Sequence, residues 1–458
     1  MTSRSATVRW SHPSVVALGV SDPVEWVTTQ ARDLAMRAIE AGWSGPPFDP
    51  AALADLLRIP VRPSQDVLDA RLVPTASGVR IDFNPNRSPG RIRFSIAHEV
   101  AHVLFPDHAT AARHRLAGTP GTNDADLELL CNLAASELVM PIGSFTELAD
   151  GPPSIDTALR LRSAFDLSME AVLLRVARVA RVPVTAFAAA PLADLSAAGY
   201  RVDYAIASRP HDRVVARGLR VPRESVVGQC TAIGYTAKGV ERWGRRASSI
   251  RVEAVGLPPY PGQSLPRVAG LLLPTTKARA EPGLNYLVGD ATQPRGSGPR
   301  FITHVVNDAT TRWGGAFARD LARRWPALQA SFTAWASGSP PRLGAVHVAE
   351  AEPGLWVASL VAQHGYGPSA KPRIRYAYLE AGLESVAAAA AARGASVHAP
   401  RLGAGQAGGR WEVIAELLER ALVDRGLAVT VYDLPSSGGP STDSAGPRQL
   451  ALPVSSGS

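Results

Sequence analysis

The run Arg91-Ile92-Arg93-Phe94-Ser95-Ile96-Ala97-His98-Glu99-Val100-Ala101-His102 constrains this chain more than any other stretch, because it contains His-Glu-x-x-His. On an α-helix, residues four apart lie on one face, so His98 and His102 can aim both imidazoles at one metal ion. Glu99 follows the first histidine, where its carboxylate reaches a water on that ion. A zinc ion with three protein ligands and one open position makes such a water acidic near neutral pH. The pattern therefore predicts His98 and His102 as ligands and Glu99 as the general base of a peptide hydrolase. The bland alternative is a solvated helix. The stripe Ile96, Val100, Val103 and Leu104 argues against it by making the helix amphipathic and largely buried, where polar groups need a partner. Ile92, Phe94 and Ile96 alternate as a strand entering the helix would.

Two histidines leave the site one ligand short, and two residues compete for the place. His108 lies six residues after His102, as in the extended pattern His-Glu-x-x-His-x-x-Gly-x-x-His. That pattern turns on a glycine, and Phe105 followed by Pro106 stands there instead. Glu128 lies on the next predicted helix, which opens at Asp124 or Asp126 and ends at Met140-Pro141, with Leu127, Leu130, Cys131, Ala134, Ala135 and Leu138 as its apolar residues. Two packed helices would bring Glu128 to the ion, and it is the favoured third ligand. Asn132, one turn on, and His108 then become candidates for groups that hold the ligands in place. Glu137 is on another face and is expected in a salt bridge.

The chain has 458 residues and a net charge of +8, which predicts two to four domains. Its pI is about 9.8, and the basic residues are almost all arginine, lysine occurring only at Lys238, Lys277 and Lys371. The charge permits nucleic-acid binding, but no local basic run demands it. Two distant cysteines, Cys131 and Cys230, exclude a disulfide framework and fit a reducing compartment. Residues 1–12 are polar and lack the apolar core of a signal peptide, and no run of about 18 apolar residues occurs. A cytoplasmic chain with no membrane partner is expected.

Residues 1–20 read as a poorly specified arm. Helical spacing predicts helices over 23–41, briefly after Asp49-Pro50, and over 157–182, where Asp166-Leu167-Ser168 gives a helix-turn-helix look that a simple packing pair would share. Short strands are expected at 59–61 and 79–83, and a mostly β module of unreadable function over 193–280, with Arg242-Trp243 as a contact patch or ordinary surface. A linker is expected at 275–282 and a disordered tail at 436–458.

Residues 27–190 resemble the ImmA/IrrE family of zinc peptidases. The resemblance rests on Phe48-Asp49-Pro50, on the Arg-x-Arg-Phe-Ser-Ile-Ala-His-Glu-x-x-His run, and on the segment from Glu128 through Cys131-Asn132 and Ala134-Ala135 to Met140-Pro141. It implies Glu128 as third zinc ligand, with Cys131 in place of the usual alanine. It also implies a cytoplasmic enzyme that controls a helix-turn-helix repressor, often by cleaving it, in a mobile-element or DNA-damage response.

From 284 to 434, apolar β-like runs at 284–288, 301–306, 345–348, 355–360, 396–398 and 428–432 alternate with helical stretches at 317–325, 374–392 and 411–424, which argues for an α/β sandwich. Glycine turns at Trp313-Gly314-Gly315-Ala316-Phe317 and at Leu402-Gly403-Ala404-Gly405-Gln406 each precede a helix, where backbone N–H groups can cradle a diphosphate. This region resembles a macro domain, the ADP-ribose-binding fold. The resemblance implies Asp290 at the adenine, Asn307 at the distal ribose, and Gly314, Gly315, Ala316, Phe317, Gly403, Gly405 and Gln406 around the phosphates. Relatives that hydrolyse through a covalent lysine carry that lysine after the 355–360 strand and an acid in the second glycine loop. Here those stretches read Ala362-Gln363-His364-Gly365 and Ala407, so lysine-based hydrolysis is not expected.

The sequence thus predicts a multidomain α+β and α/β protein: a zincin-like peptidase domain at 1–150, a helical extension at 151–192, a β module at 193–280, and a three-layer α/β/α macro-like domain at 281–435. The expected function is zinc-dependent cleavage of a regulatory protein, coupled to sensing of ADP-ribose, free or attached to protein or nucleic acid. Alternatives are a non-proteolytic regulator that binds nucleic acid around a vestigial zinc site, and an ADP-ribosyl hydrolase.

Overall fold

The computed structural model describes residues 10–110, 125–145, 153–180, 182–192, 199–208, 215–243, 249–259, 264–275, 283–338 and 341–434. The linker over 276–282 and the tail from 436 lie outside them. Helix α1 (Pro13–Val16) and helix α2 (Pro23–Glu40) come first. Asp22 starts α2 by accepting from the N–H groups of Val24 and Glu25, each at 3.0 Å, with Pro23 presetting the first turn. After α3 (Ala51–Leu56), strands β1 (Val61–Pro63), β2 (Ala70–Thr75) and β3 (Gly78–Phe83) form a sheet of order β1-β3-β2, with β2 at an edge. Helix α4 (Pro89–Val103) follows. Residues 92–96 are therefore helical and not a strand: Pro89 sets the first turn, and three apolar residues cannot separate a period of two from one of 3.6. Helix α5 (Ala125–Val139) packs against α4 and α2.

Helices α6 (Ile155–Phe165) and α7 (Met169–Val179) are capped by Ser154 and Ser168 and joined through Asp166, which holds a left-handed φ of 50°. They lie on an antiparallel sheet of order β5-β4-β8-β7-β6, built from β4 (Thr185–Pro191), β5 (Tyr200–Ala207), β6 (Thr236–Glu241), β7 (Ile250–Leu257) and β8 (Arg267–Pro274). The sheet thus begins at Thr185, inside the stretch expected to be the helical extension. Buried Glu253 on β7 accepts from the N–H of Ile155 at 2.9 Å, and Arg267 on β8 pairs with Glu170 on α7 at 2.5 Å. With Val172, Leu173, Val176 and Ala177 all buried, α7 serves as a packing layer. Trp243 is likewise core, packed edge-on to Phe187.

The C-terminal unit is one six-stranded sheet of order β11-β12-β10-β13-β14-β9. Its strands are β9 (Asn285–Val288), β10 (Arg300–Asn307), β11 (Val346–Glu352), β12 (Leu355–Gln363), β13 (Ser396–Pro400) and β14 (Val429–Asp433), and only the β11–β12 pairing is antiparallel. Helices α8 (Ala316–Arg324) and α9 (Pro326–Gly338) cover one face. Helices α10 (Tyr376–Ala391) and α11 (Trp411–Ala421) cover the other, giving three layers. The two halves of the chain share a core: Met36 and Ile39 of α2 and Ile142 after α5 are buried among α10 and α11 residues. Arg32 pairs with Glu380 at 3.1 Å, and Glu40 accepts from the N–H of Tyr376 at 2.8 Å.

Three histidines of this unit are buried. Burial holds His304 at about 3 and His398 at about 4, with repulsion from His347 and Arg300 adding to the effect. A folded-state value below the unfolded 6.5 means that acid protonates the unfolded chain first. Stability is then full above pH 6.5 and drains as the pH falls to about 4. For His398 the loss is about 3 kcal/mol. Denaturant midpoints read by tryptophan fluorescence should fall from pH 7 to pH 4, and His398→Gln should flatten that fall. Identical slopes for the two proteins would contradict the assignment.

Candidate metal centre

α4 and α5 build the centre by facing each other. His98 and His102 lie one turn apart on α4, and Glu128 and Asn132 one turn apart on α5. His98 Nε2 lies 3.1 Å from His102 Nε2 and 3.0 Å from Glu128 Oε2, and His102 Nε2 lies 3.4 Å from Glu128 Oε1. Donor atoms about 3.3 Å apart are what a tetrahedral zinc with bonds of about 2.0–2.1 Å requires. The two imidazole nitrogens and the Glu128 carboxylate, which meets His98 through Oε2 and His102 through Oε1, therefore have the spacing such an ion would take. The far nitrogens are engaged too: His98 Nδ1 is 3.0 Å from Asn132 Oδ1, and His102 Nδ1 is 3.2 Å from Cys131 Sγ. Each ring is thus aimed by its other nitrogen.

Glu99 also has a carboxylate oxygen near the two histidines. Its Oε2 accepts from the N–H of Leu72 on edge strand β2 at 2.8 Å, and the side chain is buried. This tether to β2 favours Glu128 as the ligand and Glu99 as the base. Burial alone would raise the Glu128 carboxyl, but its hydrogen bonds to His102 and His98 win and hold it far below the usual range. Burial lowers His98, while Glu128 and Glu99 raise it further, so the net direction is up. An anionic pocket of this kind favours a cation.

His108, the competing candidate, has its Nδ1 2.8 Å from the carbonyl oxygen of Phe105. Cys131, which stands where the resembled family carries alanine, brings its Sγ to His102 Nδ1, a contact that its small volume does not foretell. Its position one residue before Asn132 was the available signal. Glu137 forms the expected ion pair, with Arg175.

A cleft of about 1060 Å³ opens over the centre, with His98, Glu99 and Glu128 in its lining. Phe94, Arg162, Leu167 and Glu170 line it from the helices, and Ile233, Val255 and Pro258 from the β module. That wall was invisible in sequence, because it joins segments more than a hundred residues apart.

In the C-terminal unit, Asp290 accepts from the N–H and hydroxyl of Thr292 at 2.8 and 2.7 Å, and Asn307 Oδ1 accepts from the N–H of Ala309 at 3.0 Å. The two glycine loops face each other, since a Cβ on Gly315 would lie 4.0 Å from Gln406 Oε1. Added Cβ atoms at Gly314 and Gly405 would meet open space, whereas one on Gly403 would meet Ile374 at 2.9 Å. Gly403, with φ of 73°, is therefore required by packing as well as by backbone conformation. Ala316 begins α8, and Phe317 tilts against His304.

Residues 65–177 match the family model Peptidase_M78, the IrrE N-terminal-like domain. A macrodomain protein from Streptomyces coelicolor is 40% identical over 33% of this chain and 98% of its own, with a TM-score of 0.29. A protein of unknown function from Bacteroides thetaiotaomicron is also 40% identical, over 34% of this chain and 100% of its own, with a TM-score of 0.32. The chromodomain-helicase-DNA-binding protein 1-like of Mus musculus is 31% identical over 163 residues, 34% of this chain. This chain spans only 18% of that relative's length. The match to the IrrE N-terminal-like model thus covers the helices that carry His98, His102 and Glu128, and the three-layer α/β unit lies outside it. Among the described residues, no helix is long and apolar enough to cross a membrane.

Replacing Glu128 should therefore cost the metal. Zinc per chain, measured after dialysis, should drop to trace in Glu128→Ala and stay near one in His108→Ala. Equal retention by both variants would remove Glu128 from the ligand set.

Proposed function

We propose that this protein is a cytoplasmic zinc endopeptidase that cleaves a regulatory protein, a helix-turn-helix repressor being the partner expected from sequence, and that its α/β unit binds ADP-ribose. The observation that carries the peptidase reading is the convergence of His98 Nε2, His102 Nε2 and the two Glu128 carboxylate oxygens, at 3.0–3.4 Å, beside buried Glu99.

When bound, zinc would supply an acidified water and polarise the scissile carbonyl. The chain's own groups do the rest. Asn132 and Cys131 fix the two imidazole rings, so both Nε2 atoms converge. Glu99, oriented by the Leu72 N–H, takes the proton at its other oxygen and delivers it to the leaving amine. The cleft has room for an extended peptide, and its wall mixes apolar side chains with Arg162 and Glu170. The ADP-ribose reading is supported by two facing glycine loops on a largely parallel sheet, the type of crevice where open α/β folds take nucleotides.

Glu99→Gln keeps the shape and should keep zinc, while cutting turnover of a cleaved protein by about a hundredfold or more. A glutamine variant that still cleaves at the wild-type rate would exclude Glu99 as the base. If the two units act together, adding ADP-ribose should change the cleavage rate, which requires it to bind two states of the chain unequally. A rate unchanged at saturating ADP-ribose would leave the units functionally independent.

A further inference from the structure

Where the N-terminal unit meets the α/β unit, arginines from three helices stand around two carboxylates. Arg32 on α2, Arg175 and Arg178 on α7 and Arg420 on α11 all act on Glu137 of α5. Two of them are hydrogen-bonded: Arg175 donates to Glu137, and Arg32 donates to Glu380 of α10 at 3.1 Å. The other two have no such bond. Arg178 Nη2 lies 3.8 Å from Glu137 Oε1, and Arg420 Nε lies 3.7 Å from Glu380 Oε1, outside ordinary hydrogen-bond distance. Arg178 Nη1, Arg420 Nε and Arg175 Nε are shielded from solvent, and none has a hydrogen-bond partner among the described residues. The Arg175 side chain is only 4% exposed.

Arginine keeps its charge in a protein, and a buried charge is costly unless it is paired and hydrogen-bonded. The acids nearby do not close the gap. Glu25 and Asp33 act on Arg178 and Arg32 only at longer range. Glu416, one turn before Arg420, is engaged by the N–H of Gly143. What the cluster lacks is acceptors that carry charge. A tetrahedral oxyanion presents oxygens on several sides, so a single one can accept from guanidinium groups on different helices, and guanidinium is the side chain best matched to phosphate. The less buried Arg178 and Arg420, at 23 and 34% exposed, give the cluster a side open to solvent.

We propose that this arginine cluster binds an inorganic oxyanion of the phosphate type at the boundary between the two units. The anion accepts from Arg178 on α7 and Arg420 on α11, with Arg175 Nε as a third donor. It thereby joins a helix of the N-terminal unit to a helix of the α/β unit. Glu137 belongs to the same cluster, so the anion also steadies α5, the helix that presents Glu128. The site is separate from both the metal centre and the two glycine loops, and neither the peptidase nor the ADP-ribose reading is needed for it.

The test is equilibrium dialysis of the full chain against radiolabelled inorganic phosphate, at an ionic strength held constant with chloride, for wild type, Arg178→Gln and Arg420→Gln. Wild type should bind phosphate saturably. Each variant should lose about tenfold or more in affinity, which is what one hydrogen bond to a charged group is worth. The unfolding midpoint of wild type should rise with phosphate as the site fills, and the rise should shrink in both variants. Sulfate should compete for the same place. Phosphate held equally well by both folded variants, or displaced by a stoichiometric amount of ADP-ribose, would put the anion elsewhere and overturn the proposal. A wild type that holds no phosphate would overturn it without recourse to any variant.

Discussion

The metal centre depends on how α5 is held. Its first turn carries Asp126, whose carboxylate accepts from the N–H and hydroxyl of Ser11 at 2.6 and 2.9 Å and from the N–H of His12 at 3.2 Å. Two residues on, the Glu128 carboxylate meets His98 and His102 at 3.0 and 3.4 Å. Farther along, Glu137 is buried against Arg175, with Arg178 at 3.8 Å. Breaking such a buried pair by removing one partner typically costs about 3–5 kcal/mol. Just beyond the helix, the N–H of Gly143 donates to Glu416 on α11 at 2.7 Å. The helix is thus fixed in its first turn, in its last turn and just beyond its end by unrelated parts of the chain. A ligand set that must hold its donors within a few tenths of an ångström needs that rigidity.

Much of this was legible because the chemistry is local. His98, Glu99 and His102 fall within five residues, and Glu128 with Asn132 on one helix face, so periodicity alone brings each set together. The α/β alternation from 284 onward was equally readable, since long apolar runs between helices leave few alternatives. Features decided by distant partners were not readable. Strand β2 contains Pro74, and its pattern is weak, as befits an edge strand. Helix α9 begins at Pro326 directly after α8, where proline reads as a stop although it suits the first turn of a new helix. Ser11 and His12 read as part of a loose arm, because nothing near them reveals that Asp126 receives them.

Cys131 shows the same limit at the scale of one atom. Alanine and cysteine are nearly interchangeable in volume, so packing alone gives no reason to prefer either. The thiol differs by lying 3.2 Å from His102 Nδ1, in a place where imidazole ligands usually meet oxygen. Sulfur is a weaker acceptor than a carboxylate, so it orients the ring with less added charge than an acid would bring. The neighbouring His98 has an amide oxygen from Asn132 in the equivalent place. His98 is therefore steered by a neutral amide, and the Glu128 carboxyl, held far below its usual range by its hydrogen bonds to the histidines, brings negative charge to the centre.

The way the two units meet restricts how they can communicate. On α2, Val27, Ala31, Leu34 and Ala38 are buried in the core of the N-terminal unit, while Met36 and Ile39 are buried in that of the α/β unit. A helix apolar on two faces is a shared wall, and separating the units would expose one face to water. Hinged opening at this boundary is thus disfavoured. What remains are small shifts of packed helices, the shear type of motion. The route is short: the second glycine loop leads into α11, Glu416 on α11 holds Gly143, and Gly143 follows the helix that carries Glu128. A Cβ on Gly143 would lie 2.5 Å from the Val413 backbone nitrogen, so α11 and the end of α5 have almost no slack between them. Any displacement of α11 by a ligand at its N-terminal loop would bear on α5 directly, without a linker to absorb it.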